Sequence, residues 1–233
     1  IFDYSYFGLI LFRSYFRVSY INEQDKSELI KELQTNPYVM SIVELTGEFD
    51  LAVEFACPNP SRFNKEFKKV IDPKKVLSDY KIILNIVTHI YSKHYLVKDQ
   101  TIRNPHIEKI IGGDRERESF NKNELIVMKC LLFNPTMRFT QLAKETGLNV
   151  KTVKSVLSNL TKRKVIRGFR YILDTNKLGI NKSRIFLKLH NLGIEKESKF
   201  MEHLSSINEV GEVNKTTGDW EMEIDRESFD KIN

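Results

Sequence analysis

Apolar and polar residues alternate along residues 14–19 and more clearly along Ile185-Phe-Leu-Lys-Leu-His190, so both segments predict strands. Residues 22–36 carry Leu29, Ile30 and Leu33 at helical spacing. Residues 39–45 and 49–55 then predict two strands joined by the tight turn Thr46-Gly47-Glu48. A second helix is predicted over 60–70, and 81–91 alternates through Ile82, Leu84, Ile86 and Ile90 as a last strand. The predicted order is β-α-β-β-α-β.

Set against itself, the chain shows a constant offset of 171 residues that needs no gap over about fifty positions. Ile1, Asp3 and Gly8 fall on Ile172, Asp174 and Gly179; Ser27, Leu33 and Val39 fall on Ser198, Leu204 and Val210; Thr46-Gly47 falls on Thr217-Gly218. Intervening pairs such as Val18/Leu189, Phe49/Trp220 and Val53/Ile224 keep their polarity. A duplicated domain is expected, each copy following the ferredoxin-like plan. The second copy stops inside its predicted second helix, where Phe229 falls close to the place of Phe63, so the intact protein is expected to be longer at both ends.

Between the copies the period changes. Leu125, Ile126, Cys130 and Leu131 predict a first helix closed by Asn134-Pro135. Thr140 is placed to cap a second helix that holds Leu142 and Ala143 and ends at Gly147. Asn149 is placed to cap a third, whose Val153, Val156, Leu157 and Leu160 make one buried stripe. Its opposite face shows Lys151, Thr152, Lys154, Ser155, Ser158, Asn159 and Lys162, and residues 165–172 predict a short hairpin wing. In this arrangement the third helix enters a major groove about 12 Å wide, with Lys and Arg on phosphates and Asn, Ser and Thr on base edges.

Charge sharpens that picture. The chain carries +6 overall, but residues 121–170 hold eleven Lys/Arg against Glu124 and Glu145, a window of +9 that leaves −3 elsewhere. Basic charge concentrated on one motif reads as a nucleic-acid footprint. Composition is that of an ordinary globular protein, with 41% hydrophobic and 29% charged residues, and no apolar run has membrane-spanning length. Cys57 and Cys130 form no disulfide framework, and no metal-spaced His/Cys set, phosphate loop or nucleophile elbow is present. Neither a cofactor, a metal nor catalysis is expected, and the cytoplasm is the expected location.

Leu142-Ala-Lys-Glu-Thr-Gly-Leu-Asn-Val-Lys-Thr-Val153, followed by Leu160, Val165-Ile166, Leu178-Gly179 and Thr217-Gly218-Asp219-Trp220, resembles the Lrp/AsnC, or feast/famine, transcriptional regulators. Thr46-Gly-Glu-Phe-Asp-Leu51 resembles the glycine turn of their effector domain. The resemblance implies an α+β chain with a winged helix-turn-helix and two ferredoxin-like effector domains, the second incomplete. The expected bounds are a first effector domain over 1–99, a linker over 100–120, a DNA-binding domain over 121–172 and a second effector domain over 173–233. It also implies duplex DNA as partner, a homo-oligomer formed through the effector sheets, and an amino acid or similar small molecule as effector.

The DNA contacts are expected from Thr140, Lys151, Thr152, Lys154, Ser155, Asn159, Lys162, Arg163, Arg167 and Arg170. The effector is expected beside the turns, at Thr46, Gly47, Glu48 and Asp50 or at Thr217, Gly218, Asp219 and Glu221. Glycine amides there suit a ligand carboxylate, and Asp50 or Glu221 suits its ammonium group. Proteins of similar architecture act as sirohaem decarboxylases, in which histidine and basic side chains handle a tetrapyrrole. The histidines here are His89, His94, His106, His190 and His203, of which His89 and His190 fall on predicted strands.

Overall fold

The computed structural model describes residues 1–18, 23–71, 77–96, 109–189 and 192–229. It divides by contact into two compact units, one of Ile1–Gly8 with Asp114–Leu173 and one of Leu9–Gly113 with Asp174–Asn233. The larger begins with β1 (Ile10–Val18), α1 (Glu23–Thr35), β2 (Val39–Glu44), β3 (Leu51–Cys57), α2 (Pro60–Ile71) and β4 (Leu77–Ile90), and β5 (Lys109–Gly112) lies along the end of β4. The smaller unit holds α3 (Lys122–Phe133), α4 (Phe139–Thr146) and α5 (Val150–Lys162). The larger is completed by a single turn α6 (Thr175–Leu178), β6 (Asn181–Leu187), α7 (Ile194–Ser206), β7 (Val210–Thr217) and β8 (Met222–Ser228).

The larger unit is a mixed α+β structure on one antiparallel sheet of eight strands, in the order β2-β3-β1-β4-β7-β8-β6 with β5 added beside β4. On the helix side Phe12, Phe16, Leu51, Val53 and Phe55 pack against Leu29 and Leu33 of α1 and Phe63, Phe67 and Val70 of α2. Leu187, Val213, Met222 and Ile224 pack in the same way against Met201 and Leu204 of α7. β1 begins four residues earlier than the alternation from Ser14 predicts, because Leu11–Arg13 pair with both β3 and β4 and are buried on both faces, which erases the period-two signal. The expected linker is interrupted in the same way: residues 100–108 lie outside the described ones, and Lys109–Gly112 are strand.

In the smaller unit Val127, Met128, Leu131, Leu142, Ala143, Val153, Leu160, Val165 and Ile166 form one core. α3 is preceded by Asn121, which holds it by a reciprocal cap in which Asn121 accepts from the Glu124 amide at 3.0 Å and Glu124 accepts from the Asn121 amide at 2.9 Å. Residues 165–172 do not form a hairpin among themselves. Ile166 bridges Phe2, the Asp3 amide donates to the Val165 carbonyl at 2.9 Å and the Arg167 amide to the Ile1 carbonyl at 2.9 Å. Ile1–Gly8, expected in the first effector domain, therefore join the three-helix unit, because the partner strand for 165–167 comes from the chain's beginning.

Candidate functional site

Asn149 opens α5 as its residue type predicts, its side chain accepting from the Thr152 amide at 2.7 Å and from the Thr152 hydroxyl at 3.0 Å. α4 is different: it begins after Arg138, which makes no side-chain cap, so Thr140 lies inside the first turn and does not cap the helix. Gly147 closes α4 at φ 70°, donating to the Ala143 carbonyl. With Val153 and Leu160 fully buried, the outer face of α5 presents Lys151, Lys154, Ser155, Ser158 and Lys162 to solvent, and the Lys154 ammonium sits 5.4 Å from the centroid of the exposed Phe139 ring. Thr152 is half-buried; Thr140 and Arg170 are exposed.

Three residues expected at DNA are held elsewhere. Arg163 donates from Nε to Glu118 at 2.7 Å and from Nη1 to Glu124 at 2.6 Å, and its guanidinium lies 5.5 Å over the Phe120 ring. The hydrogen bond to Glu118, opposed by burial, holds this guanidinium above its ordinary pKa. Asn159 donates to the same Glu124 at 3.2 Å, which ties the C-terminal part of α5 to the start of α3. Arg167 donates through Nε and Nη2 to Asp3 at 3.1 and 2.8 Å, and Asp3 is fully buried. What remains exposed on α5 is a lysine and hydroxyl surface running from Lys151 near its start to Lys162 at its end.

The glycine turns have a structural occupation that the sequence did not reveal. Asp50 accepts from the Val18 amide at 2.8 Å, and Glu221 accepts from the Leu189 amide at 2.7 Å. Both carboxylates thus hold an amide at or just past the end of a strand, in positions 171 apart. The Asp-to-Glu difference between the copies changes reach, not partner. Gly47, at φ 119°, has open space where a Cβ would stand, whereas a Cβ on Gly218, at φ 146°, would meet Ile83 Cδ1 at 2.9 Å and the Ile82 carbonyl at 3.0 Å. Close approach of β4 therefore accounts for Gly218. Asp219 lies 3.4 Å from Lys81. Thr46, Glu48 and Thr217 are exposed. A cavity of about 400 Å³ opens elsewhere, walled by His89, Tyr91, Glu197, Ser198, Met201 and Lys215.

On the sheet face away from the helices the structure assembles a group of charged side chains that sequence reasoning passed over. Arg13 donates to Glu54 at 2.8 Å from Nε and to Glu223 from Nη1. Arg184 donates to Asp225 at 2.5 and 2.8 Å and to the Tyr15 hydroxyl at 3.0 Å. Burial alone would lower Arg13 and raise Glu54, yet each pulls the other the opposite way, leaving Arg13 above and Glu54 below its ordinary range. Burial likewise works against Asp225, but Arg184 carries its pKa downward. The available signal was an arginine inside Ile10-Leu-Phe-Arg-Ser-Tyr-Phe16 and a glutamate inside Leu51-Ala-Val-Glu-Phe55, charges placed where a strand otherwise reads as apolar.

No family model and no curated protein matches the chain. Among solved structures, the siroheme decarboxylase NirDL matches 99% of this chain and 66% of its own at 15% identity and a TM-score of 0.60. The same enzyme in complex with an iron-uroporphyrin III analogue matches 97% and 64% at 14% identity and a TM-score of 0.59. AsnC of E. coli, one of several regulators of its kind found at low identity, matches 48% of this chain and 75% of its own at 20% identity and a TM-score of 0.41. The chain spans about two thirds of the decarboxylase's length. The two decarboxylase likenesses show a fold, α+β with an antiparallel sheet of ferredoxin-like kind. They overturn the expectation that the chain is not an enzyme, since the structures that match nearly all of it are those of one. Among the described residues no helix is long and apolar enough to cross a membrane.

Proposed function

We propose that the chain binds double-stranded DNA as a regulator of the Lrp/AsnC type, with α3, α4, α5 and the strand at Ile166 as a winged helix-turn-helix. One observation carries this: α5 is capped at Asn149 and turns Lys151, Lys154, Ser155 and Lys162 outward from a stripe in which Val153 and Leu160 are fully buried and Val156 and Leu157 half-buried. A helix packed on one side and cationic at its exposed start matches the way a recognition helix meets phosphates and base edges. Lys151, Lys154 and Lys162 meet phosphates; Thr140, Thr152 and Ser155 supply hydroxyls; Arg170 follows the wing. Arg163, Arg167 and Asn159 act indirectly, by holding the helix in place.

The test is the salt dependence of duplex binding. Replacing Lys151 and Lys154 by Ala flattens the slope of log affinity against log salt by roughly one to two units, as expected for two phosphate contacts. An unchanged slope removes them from the interface. The amino-acid effector belongs to the same proposal, at the glycine turns. There Asp50 and Glu221 already accept the Val18 and Leu189 amides, so the ligand's carboxylate, bound by turn amides, is the anchoring group. Calorimetric titration with amino acids, with Gly47→Val as the blocked control, checks it. Gly218→Val cannot serve, because its side chain would meet β4.

A second reading, a tetrapyrrole decarboxylase, is favoured by the extent of the fold match. Against it, the buried arginines that would suit substrate carboxylates, Arg13 and Arg184, are already paired with Glu54, Glu223 and Asp225. Of the histidines, His106 and His190 lie outside the described residues, and His203 sits in the last turn of α7. His89 lines the 400 Å³ cavity. A Soret band that shifts when the protein is titrated with an iron tetrapyrrole would favour this reading over the first.

A further inference from the structure

The sheet of the larger unit consists of two halves joined where β4 pairs with β7, and a short segment leads into the first strand of each half. Before β1 it reads Ile1-Phe-Asp-Tyr-Ser-Tyr-Phe-Gly8, and before β6, 171 positions later, Ile172-Leu-Asp-Thr-Asn-Lys-Leu-Gly179. The two segments fold alike. Asp3 and Asp174 each open one helical turn, Tyr4–Phe7 and Thr175–Leu178, by accepting from an amide inside it. Gly8 and Gly179 close these turns at φ 69° and 66°.

Their surroundings differ. Residues 1–8 are seated on the smaller unit. Phe2 bridges Ile166, the Asp3 amide donates to Val165, the Arg167 amide donates to Ile1, and the Glu118 amide donates to the Tyr6 carbonyl at 2.9 Å. Asp3 is fully buried against the Arg167 guanidinium, and Phe7 stacks on Phe120 with 4.8 Å between ring centroids. The corresponding surface of 172–179 meets solvent: Ile172 is 93% and Leu178 50% exposed. The Asp174 carboxylate, exposed where Asp3 is enclosed, lies 3.2 Å from Lys177 of its own turn.

Asp174 and Gly179 serve the turn itself, as Asp3 and Gly8 do, so they say nothing of a partner. The apolar positions do. Phe2 and Phe7, which make the side-chain contacts of the seated segment, are matched by Leu173 and Leu178, while Tyr4, Ser5 and Tyr6 give way to the polar Thr175, Asn176 and Lys177. Single exposed apolar residues are ordinary on a surface. Ile172 and Leu178, however, stand at the places that Ile1 and Phe7 fill, half-buried, in a docked copy of the same fold. An extended segment with free backbone groups and two apolar side chains adds readily to an open strand.

We infer that Ile172–Gly179 is a second docking strap, and that its seat is a further three-helix unit built like residues 114–167. That unit offers an open strand such as Val165–Arg167, with an arginine for Asp174 and an aromatic ring such as Phe120 for Leu178. The seat within this chain is filled by residues 1–8, so the occupant belongs to another molecule. The docking does not depend on DNA binding or on catalysis.

The probe is the full chain with its own seat vacated. This receiver carries Phe2→Ala and Asp3→Ala, which loosen residues 1–8, together with Leu173→Ala and Asp174→Ala, which disable its own strap. In calorimetric titration the parent chain is expected to bind the receiver one to one. A donor that differs from the parent only by Leu173→Ala and Asp174→Ala should bind at least roughly tenfold more weakly, the equivalent of about 1.4 kcal/mol. No binding by the parent, or equal binding by both donors, overturns the inference. If the receiver fails to fold, a transplant decides: Phe2→Leu, Tyr4→Thr, Ser5→Asn, Tyr6→Lys and Phe7→Leu give residues 1–8 the sequence of 172–179. A segment able to dock keeps the amides of Asp3, Glu118 and Arg167 as slow to exchange with solvent as in the parent, and loss of that protection overturns the inference.

Discussion

The lysines of α5 and the arginines of the sheet carry the same sign of charge and do opposite work. Lys151, Lys154 and Lys162 stand in solvent on the outer face of a helix whose inner face packs Val153 and Leu160 into the core. Arg13 and Arg184 are enclosed, and each is answered by a carboxylate on the neighbouring strand. The difference lies in what each charge would lose. An exposed lysine keeps its water and is worth little to the fold, while a buried arginine has given its water up and depends on its partners. Counting basic residues along the chain therefore locates a nucleic-acid surface only after the buried ones are set aside. Arg163 and Arg167, inside the basic window, are half-buried and likewise paired with carboxylates.

Substitutions at six positions would break or sharpen this contrast, in order of effect. Arg13→Ala leaves Glu54 and Glu223 without their common donor and should cost roughly 3–5 kcal/mol in urea unfolding of the larger unit. Because Glu54 and Asp225 are held below their ordinary pKa, their contribution is present above the unfolded carboxylate pKa of about 4 and is lost as the pH falls through the lower folded values. Acid unfolding of the parent should therefore steepen below about pH 4, and Arg13→Ala should lessen that steepening. A cost under about 1 kcal/mol would mean that the cluster is solvated and only looks enclosed.

Gly218→Val should come next, at about 1–3 kcal/mol from overpacking against Ile83 in addition to backbone strain. Gly47→Val meets no neighbour and pays the strain alone, so equal losses in thermal melts would contradict the close approach of β4. Asn149→Ala should cost about 1 kcal/mol in the smaller unit, and an unchanged melting temperature would remove its role at the start of α5. Smallest for stability, within about 0.5 kcal/mol, should be Lys151→Ala with Lys154→Ala, whose effect belongs to the salt slope. Destabilisation well beyond that would place them among the structural cations.

Much of the local structure was legible. The β-α-β-β-α-β order of 10–90 and the start of α5 at Asn149 follow from periodicity and from a side chain that can accept an amide, both properties of near neighbours. What escaped was long-range. Asp3 meets Arg167 and Phe2 bridges Ile166 across some 164 positions, so the segment 165–167 read as half of a local hairpin. Asp50 and Glu221 read as ligand carboxylates because the amides that occupy them, at Val18 and Leu189, lie 32 residues earlier in each case. The enclosed arginines escaped for the same reason, since Glu223 is 210 residues from Arg13.

β4 is the longest strand among the described residues, and it runs the length of the join. Along one edge it meets β1 through Leu77–Asn85 and β5 through Val87–Ile90; along the other it meets β7 through Leu84–Ile90. Mechanically it is a shared beam. A pull along the strand direction that tries to slide the two halves past each other loads all the bonds of β4 to β7 at once, in shear, while a pull across the sheet opens them one after another from an end. The larger unit should therefore be stiff along β4 and weak across it, and a molecule that levers the halves apart would have to begin at an end of that seam.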